Sequence, residues 1–180
     1  MARRISAHSS PPFCKKISPL HPATRMLDNY DLKLLSEIQR DADTPQSELA
    51  ARVNLSPAAV NRRLRRLADE GVIDRYTAIL APEKVGYPLT IVTMIEVESE
   101  QIDLLDAMKR TFEACAQIQQ CYYVAGEWDF VLIFSVRHME EYNDLTRQLF
   151  FANNNVKRFK TLVTMSRVKA GLEIPIGPAT

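Results

Sequence analysis

The stretch "LSPAAVNRRLRRLADEGVI", Leu55 to Ile73, places Arg62, Arg63, Arg65 and Arg66 within five positions of a chain that is otherwise almost neutral. Ser56-Pro57 is a helix start: the serine hydroxyl can accept a backbone N–H, and proline in the first turn gives up an N–H that has no partner there. Gly71 suits the position just past the helix end. At roughly 100° per residue, Val60, Leu64 and Leu67 share one side of this helix. Ala58, Arg62, Arg65 and Asp69 fall opposite, Asn61 and Arg66 flank them, and Arg63 lies at the edge of the apolar side. Small, polar and cationic groups on the N-terminal half of a helix suit a DNA major groove. Alanine lets the backbone approach, asparagine can bond adenine with two hydrogen bonds, and arginine can bond guanine likewise. The candidate DNA-binding residues are therefore Ser56, Pro57, Ala58, Asn61, Arg62, Arg65 and Arg66, with Ser56 and Arg66 placed for phosphate. The plainer alternative is a solvated arginine face, which helix propensity alone would favour.

Composition sharpens the question of why the charge is concentrated. The 180 residues carry 23 basic and 22 acidic side chains. Residues 1–26 hold Arg3, Arg4, Lys15, Lys16 and Arg25 and no acid, so the remainder is about −4. Any affinity for a polyanion must then rest on a local patch. Other chemistry lacks its residues. His8, His21 and His138 lie far apart, and Cys14, Cys115 and Cys121 have no metal-ligand spacing, so reduced thiols and no zinc site are expected. No nucleophile–base pair or phosphate-binding loop is present, and no cofactor or enzymatic activity is expected. The most apolar run, Phe130 to Val136, is too short to span a membrane.

The elements that would carry the arginine helix are legible around it. Tyr30, Leu34 and Ile38, with Leu27, Asp31 and Leu35 beside them, form a helical stripe that Asp28 can cap, with Asp31 completing the cap. Thr44 is expected to cap a second short helix bearing Leu49, Ala50 and Val53, and "VNLS" forms a tight turn into the third. Three short helices of this kind make a helix-turn-helix, and Val72-Ile73 start an extended segment. From Leu89 the period changes. "LTIVTMIEV" reads as a strand, Ile102 to Phe112 as a helix, and "IQQCYYVAGEWDFVLIFSV" as two strands meeting at Gly126-Glu127. A helix aligning Met139, Tyr142, Leu145 and Leu149, with His138 at its start, then leads through the Asn153-Asn154-Asn155 turn to a final strand. The order βαββαβ is a ferredoxin-like split, an antiparallel sheet with helices on one face. Val92, Met94, Val131, Ile133 and the apolar residues of 162–165 would leave the other face bare, and a second copy of the chain is its expected cover.

The fold expected is α+β: a winged-helix-like helix-turn-helix domain joined to a ferredoxin-like domain. Its parts are a disordered basic tail over residues 1–26, the DNA-binding domain over 27–77, a linker over 78–87, the ligand-sensing and oligomerisation domain over 88–170, and a C-terminal tail over 171–180. The acid-free N-terminal stretch is also compatible with a transit peptide, or with Met26 as the native start.

This combination resembles the Lrp/AsnC group of bacterial and archaeal transcription regulators, the feast/famine proteins. The likeness runs from Leu27 to Lys169 and is most specific in "LDNYDLKLL", "LSPAAVNRRLRRLADEGVI" and "VAGEWDFVL". The resemblance implies a sequence-specific regulator on double-stranded DNA, cytoplasmic and nucleoid-associated, assembling as dimers and often octamers. It also implies an amino-acid effector bound at a subunit interface, near Gly126, Glu127, Trp128 and Asp129, with Thr161 early in the last strand. Phe159 and Arg158 depart from the family's pattern there, where a Thr-x-Thr-like pair and an acid are frequent. Hairpin N–H groups suit the effector's carboxylate and the two acids its ammonium, with Trp128 over its side chain; a purely structural hairpin is the alternative for the same residues. Rival functions are an architectural DNA-compacting protein without effector and, further off, a small-metabolite enzyme on the ferredoxin-like module.

Overall fold

A computed structural model describes residues 26–153 and 155–177, which fall into two compact units: the chain up to Ile79 together with Lys169 onward, and Leu80–Val168. The expected tail up to Arg25, Cys14 and Asn154 of the asparagine turn lie outside the described residues.

The first unit is built on three helices, α1 (Asn29–Arg40), α2 (Gln46–Val53) and α3 (Pro57–Asp69). Asp28 caps α1 reciprocally with Asp31: each carboxylate accepts the other residue's backbone N–H, at 2.9 Å and 3.3 Å. The sharp turn between α2 and α3 is made by Asn54, which adopts a left-handed conformation (φ 56°) that asparagine tolerates better than most residues. Ser56 Oγ accepts from Ala59 N at 3.2 Å, Pro57 fills the first turn, and Gly71 (φ 72°) ends the helix with Val72 N returning to Leu67 O. Thr44 does not cap α2. The N-cap position falls one residue later, on Pro45, which has no side-chain acceptor, and the Thr44 hydroxyl donates back to Asp41 O at 3.0 Å, closing the α1–α2 loop. The core is Leu34, Leu35, Ile38, Leu49, Ala50, Val53, Val60 and Leu67, with Leu64 and Ile73 packed at its edge. Beyond Ile73 no strand forms among the described residues of this unit, because an extended segment without a neighbour has nothing to pair with. The described residues from Lys169 belong to this unit, and Ile176 packs against the same core.

The second unit runs β1 (Leu89–Val97), α4 (Ile102–Ala114), β2 (Ile118–Tyr123), β3 (Phe130–Val136), α5 (Met139–Thr146) and β4 (Val156–Val163). All pairings are antiparallel, in the order β2-β3-β1-β4. Strand alternation decides the faces. Ile91, Thr93 and Ile95 of β1, and Phe130, Leu132 and Phe134 of β3, are buried with Met108, Phe112, Tyr142, Leu145 and Phe150. His138 caps α5, its Nδ1 accepting from Glu141 N at 3.2 Å. On the other face Val92, Met94, Val131 and Ile133 are only half-buried, and Leu162 is exposed. This is the four-stranded α+β architecture expected, with the bare apolar face the alternation implied.

Candidate functional site

Helix α3 divides its four arginines by direction. Ala58, Asn61, Arg62, Arg65 and Asp69 are exposed, and with Arg66 and Glu70 they line one shallow groove. Among the described residues no carboxylate pairs with Arg62 or Arg65. The other two arginines turn inward. Asp31 is 1% exposed, and its two oxygens accept from Arg63 Nη1 at 2.8 Å and Arg66 Nη2 at 2.5 Å. Asp28 takes a second bond from Arg63 at 2.7 Å, and the Arg63 guanidinium lies 5.5 Å from the Tyr30 ring centre. Two carboxylates and two guanidiniums thus form a neutral cluster that fixes α3 against the start of α1. Arg66, expected on phosphate, lines that groove but holds its Nη2 on the buried Asp31 carboxylate.

The Ser56 oxygen caps α3, and Pro57 sits beside it, exposed, in the first turn. Ser56, Pro57, Ala58, Asn61, Arg62 and Arg65 therefore lie together on one open surface. Asp31 is the residue sequence reading placed only on the stripe and the cap. An acid at a core-facing position needs a cation, and that was the available signal for the inward pair.

The β2–β3 hairpin collects a second polar group. Gly126 has φ 154°, strained for a side-chain-bearing residue. Asp129 is committed: its carboxylate accepts Val97 N at 2.7 Å, where β1 is irregular against β4, and its backbone bonds Val124 and Ile95. Glu127 is exposed and pairs with Arg158 at 3.2 Å. The Arg158 guanidinium stands 4.7 Å over the Trp128 ring and also bonds Glu96. Lys157, then Arg158, hold the Glu96 carboxyl below the usual carboxylate range. Among the described residues, nothing accepts from the backbone amides of Gly126, Glu127 and Trp128. Thr161 does not join this group. Its hydroxyl lies 2.6 Å from Tyr142 Oη, which reaches Thr93 at 2.9 Å, so it points to the helix side of the sheet. Phe159, two residues before it, packs against Phe150 on that same side. No three His, Cys, Asp or Glu side chains among the described residues are placed to hold a metal ion, and no helix there is long and apolar enough to cross a membrane.

Comparison with known proteins gives this geometry a context. Residues 27–74 match a family described as winged helix-turn-helix DNA-binding, and residues 90–174 the Lrp/AsnC ligand binding domain. A helix-turn-helix transcriptional regulator of Sinorhizobium fredii, itself uncharacterized, is 39% identical over 163 residues, covering 91% of this chain and 96% of its own. The leucine-responsive regulatory protein of Escherichia coli is 32% identical over 143 residues, covering 79% and 87%. Among solved structures, the feast or famine regulatory protein of M. tuberculosis complexed with L-methionine superposes with a TM-score of 0.74 at 31% identity, covering 84% of this chain and all of the other. An AsnC family transcriptional regulator from Agrobacterium tumefaciens gives 0.77 at 26% identity, covering 82% and 96%. These relatives are transcription regulators and not enzymes, and the chain, with its helix-turn-helix and its ligand-binding domain, belongs to the Lrp/AsnC family of DNA-binding transcription regulators.

Proposed function

We propose that α3 reads a specific operator sequence on the nucleoid, that the chain acts as a homodimer or higher homo-oligomer, and that an amino acid bound between copies at the Gly126–Asp129 loop alters its DNA binding. The observation that carries the DNA reading is the division of the arginines. Arg62 and Arg65 keep their charge uncommitted beside Asn61 and Ala58, while Arg63 and Arg66 are neutralised behind them. A domain with 8 basic and 9 acidic side chains over residues 27–77 has no general attraction to a polyanion, so an unpaired pair of arginines on one face is informative.

The effector reading draws on the free amides of Gly126 to Trp128, which suit a carboxylate, and on the M. tuberculosis relative that was solved with L-methionine. Asp129 is already bonded to Val97 N, so Glu127 is the carboxylate that would meet the effector's ammonium, and Asp129 holds the loop in shape. Arg158, stacked over Trp128 and paired with Glu96 and Glu127, adds a cationic group beside the loop, suited to the effector's carboxylate.

The test uses duplex DNA from upstream of the protein's own gene and a random duplex of equal length, with fluorescence anisotropy as the readout. Arg62→Ala or Arg65→Ala should lose about 1–3 kcal/mol on the specific duplex and much less on the random one. Unchanged selectivity in both variants would sink the DNA assignment. In a second arm each amino acid is added at millimolar concentration, methionine first. If none shifts operator affinity, the effector assignment fails and the DNA assignment stands.

A further inference from the structure

The described residues that follow β4 make a contact that neither DNA reading nor effector binding requires. β4 ends at Val163, and Thr164 is held by Thr90 O, which accepts both its backbone N–H at 3.1 Å and its hydroxyl at 2.9 Å. The next stretch is open: Met165 is 99% exposed and Val168 94%. From Lys169 the chain belongs to the helical unit. There Gln39, in the last turn of α1, forms a closed pair with the backbone of Ile174. Its Nε2 donates to Ile174 O at 2.8 Å, and Ile174 N donates to its Oε1 at 3.1 Å. The side-chain amide so imitates one rung of a β-ladder. Two residues on, Ile176 packs against the helical core, where Leu27, Leu55, Leu64, Val72 and Ile73 form the partly buried rim.

The sequence is suited to this. Pro175 fixes its own φ and restrains Ile174 to extended backbone, so the "EIPI" run loses little conformational entropy on docking. Gln39 recognises only main chain, which leaves specificity to the Ile176 anchor. A solvent-exposed pair of hydrogen bonds and one partly buried isoleucine are a weak hold, of the kind that opens locally without unfolding its neighbours.

We infer that residues 172–177 form a strap whose docking site is the surface of the protein's own helix-turn-helix unit, at Gln39 and the rim around Ile176. The unit is thereby tied to the sensor by two chain segments, the run after α3 and the direct continuation of β4. Two tethers restrict the orientations open to a DNA-reading unit more than one does, so the strap sets how strictly paired units demand a given half-site spacing. That consequence rests on the operator-binding reading above; the docking itself does not.

Hydrogen exchange on the full-length chain tests the docking. The Ile174 amide should exchange at least about tenfold more slowly in the wild type than in Gln39→Leu or Ile176→Asp. Gln39→Leu keeps a good helix former outside the core, so folding is retained even if Ile176→Asp disturbs the rim. Wild-type exchange as fast as in Gln39→Leu would overturn the strap, and protection that falls on dilution would assign the segment to another copy and overturn docking in cis. Anisotropy on operators with the half-site spacing changed by half a helical turn then tests the tether. Wild type should discriminate against the altered spacing at least about threefold more than Gln39→Leu. Protection lost with discrimination unchanged would overturn the tethering role and leave the docking in place.

Discussion

Of four adjacent arginines, two face solvent and two answer a buried acid, and periodicity alone could resolve only the first pair. The helical angle placed Arg62 and Arg65 outward and Arg63 near the core edge, as the structure has them. It left Arg66 at the flank, because angle says nothing about a partner 35 residues upstream. Asp31 was visible in the sequence as an acid within an apolar stripe, and its burial to 1% explains why it recruits both inward arginines. The same limit applies to Asp129 and Thr161. Residue type suggested ligand contacts, while the structure spends one on the Val97 amide and the other on the Tyr142 hydroxyl. The arginine division predicts opposite phenotypes. Arg66→Ala leaves Asp31 with one guanidinium fewer and should lower the urea stability of the helical unit by about 1–3 kcal/mol. Arg62→Ala and Arg65→Ala, which break no ion pair among the described residues, should stay within about 0.5 kcal/mol of wild type. Equal destabilisation by Arg66→Ala and Arg65→Ala would refute the division.

At the scale of elements, caps and alternation were well signalled, and departures came where one group has two possible partners. Asp28, Ser56 and Gly71 stand where the sequence placed the helix ends, whereas Thr44 turns its hydroxyl to the preceding loop. The helix from Met139 was legible through Leu149, but a wide turn over Arg147–Phe151 follows α5. That extra residue per turn lets Leu149 and Phe150 both face the core and leaves Phe151 72% exposed, a shift no regular period encodes. The start of α5 carries a pH-dependent hold. The Arg137 guanidinium, helped by the Arg137 backbone N–H and Gln117, draws the Glu141 carboxyl down to about 2 from an ordinary 4.5, against the opposing effect of burial. A carboxyl depressed on folding stabilises fully above its unfolded value and loses that contribution as pH falls toward the folded one. The window is therefore about pH 4.5 to 2. Because Arg137 is more than half exposed, the contribution is discounted to about 1–2 kcal/mol. Melting curves of wild type and Glu141→Gln should differ at pH 7 and converge as pH approaches about 2; a gap independent of pH would reject the linkage.

For the whole molecule, charge and apolar surface point the same way. One helical domain offers two uncommitted arginines against an acidic remainder, which is too little for tight binding to DNA on its own. The ferredoxin-like unit has a sheet face on which Val92, Met94, Val131 and Ile133 are half-buried and Leu162 is open, and a copy of the same face would cover it. Strand alternation made that face readable from sequence, since β1 and β3 carry more apolar positions than one side can use. A second copy was the cover expected from that surplus, although a single chain's pattern shows the surplus and not what meets it. Pairing would double the phosphates neutralised per binding event, each contributing about 0.9 to the slope of log affinity against log salt. Met94→Glu places a charge in the centre of the face, between Val131 and Lys160 in register, without touching the buried side of β1. Sedimentation velocity should show wild type as a dimer or larger and Met94→Glu shifted toward the monomer. Its salt slope on operator DNA should fall to about half, with each protomer still holding its own arginine pair. A variant that stays dimeric, or a monomer with the wild-type slope, would place the assembly contact elsewhere than on this sheet.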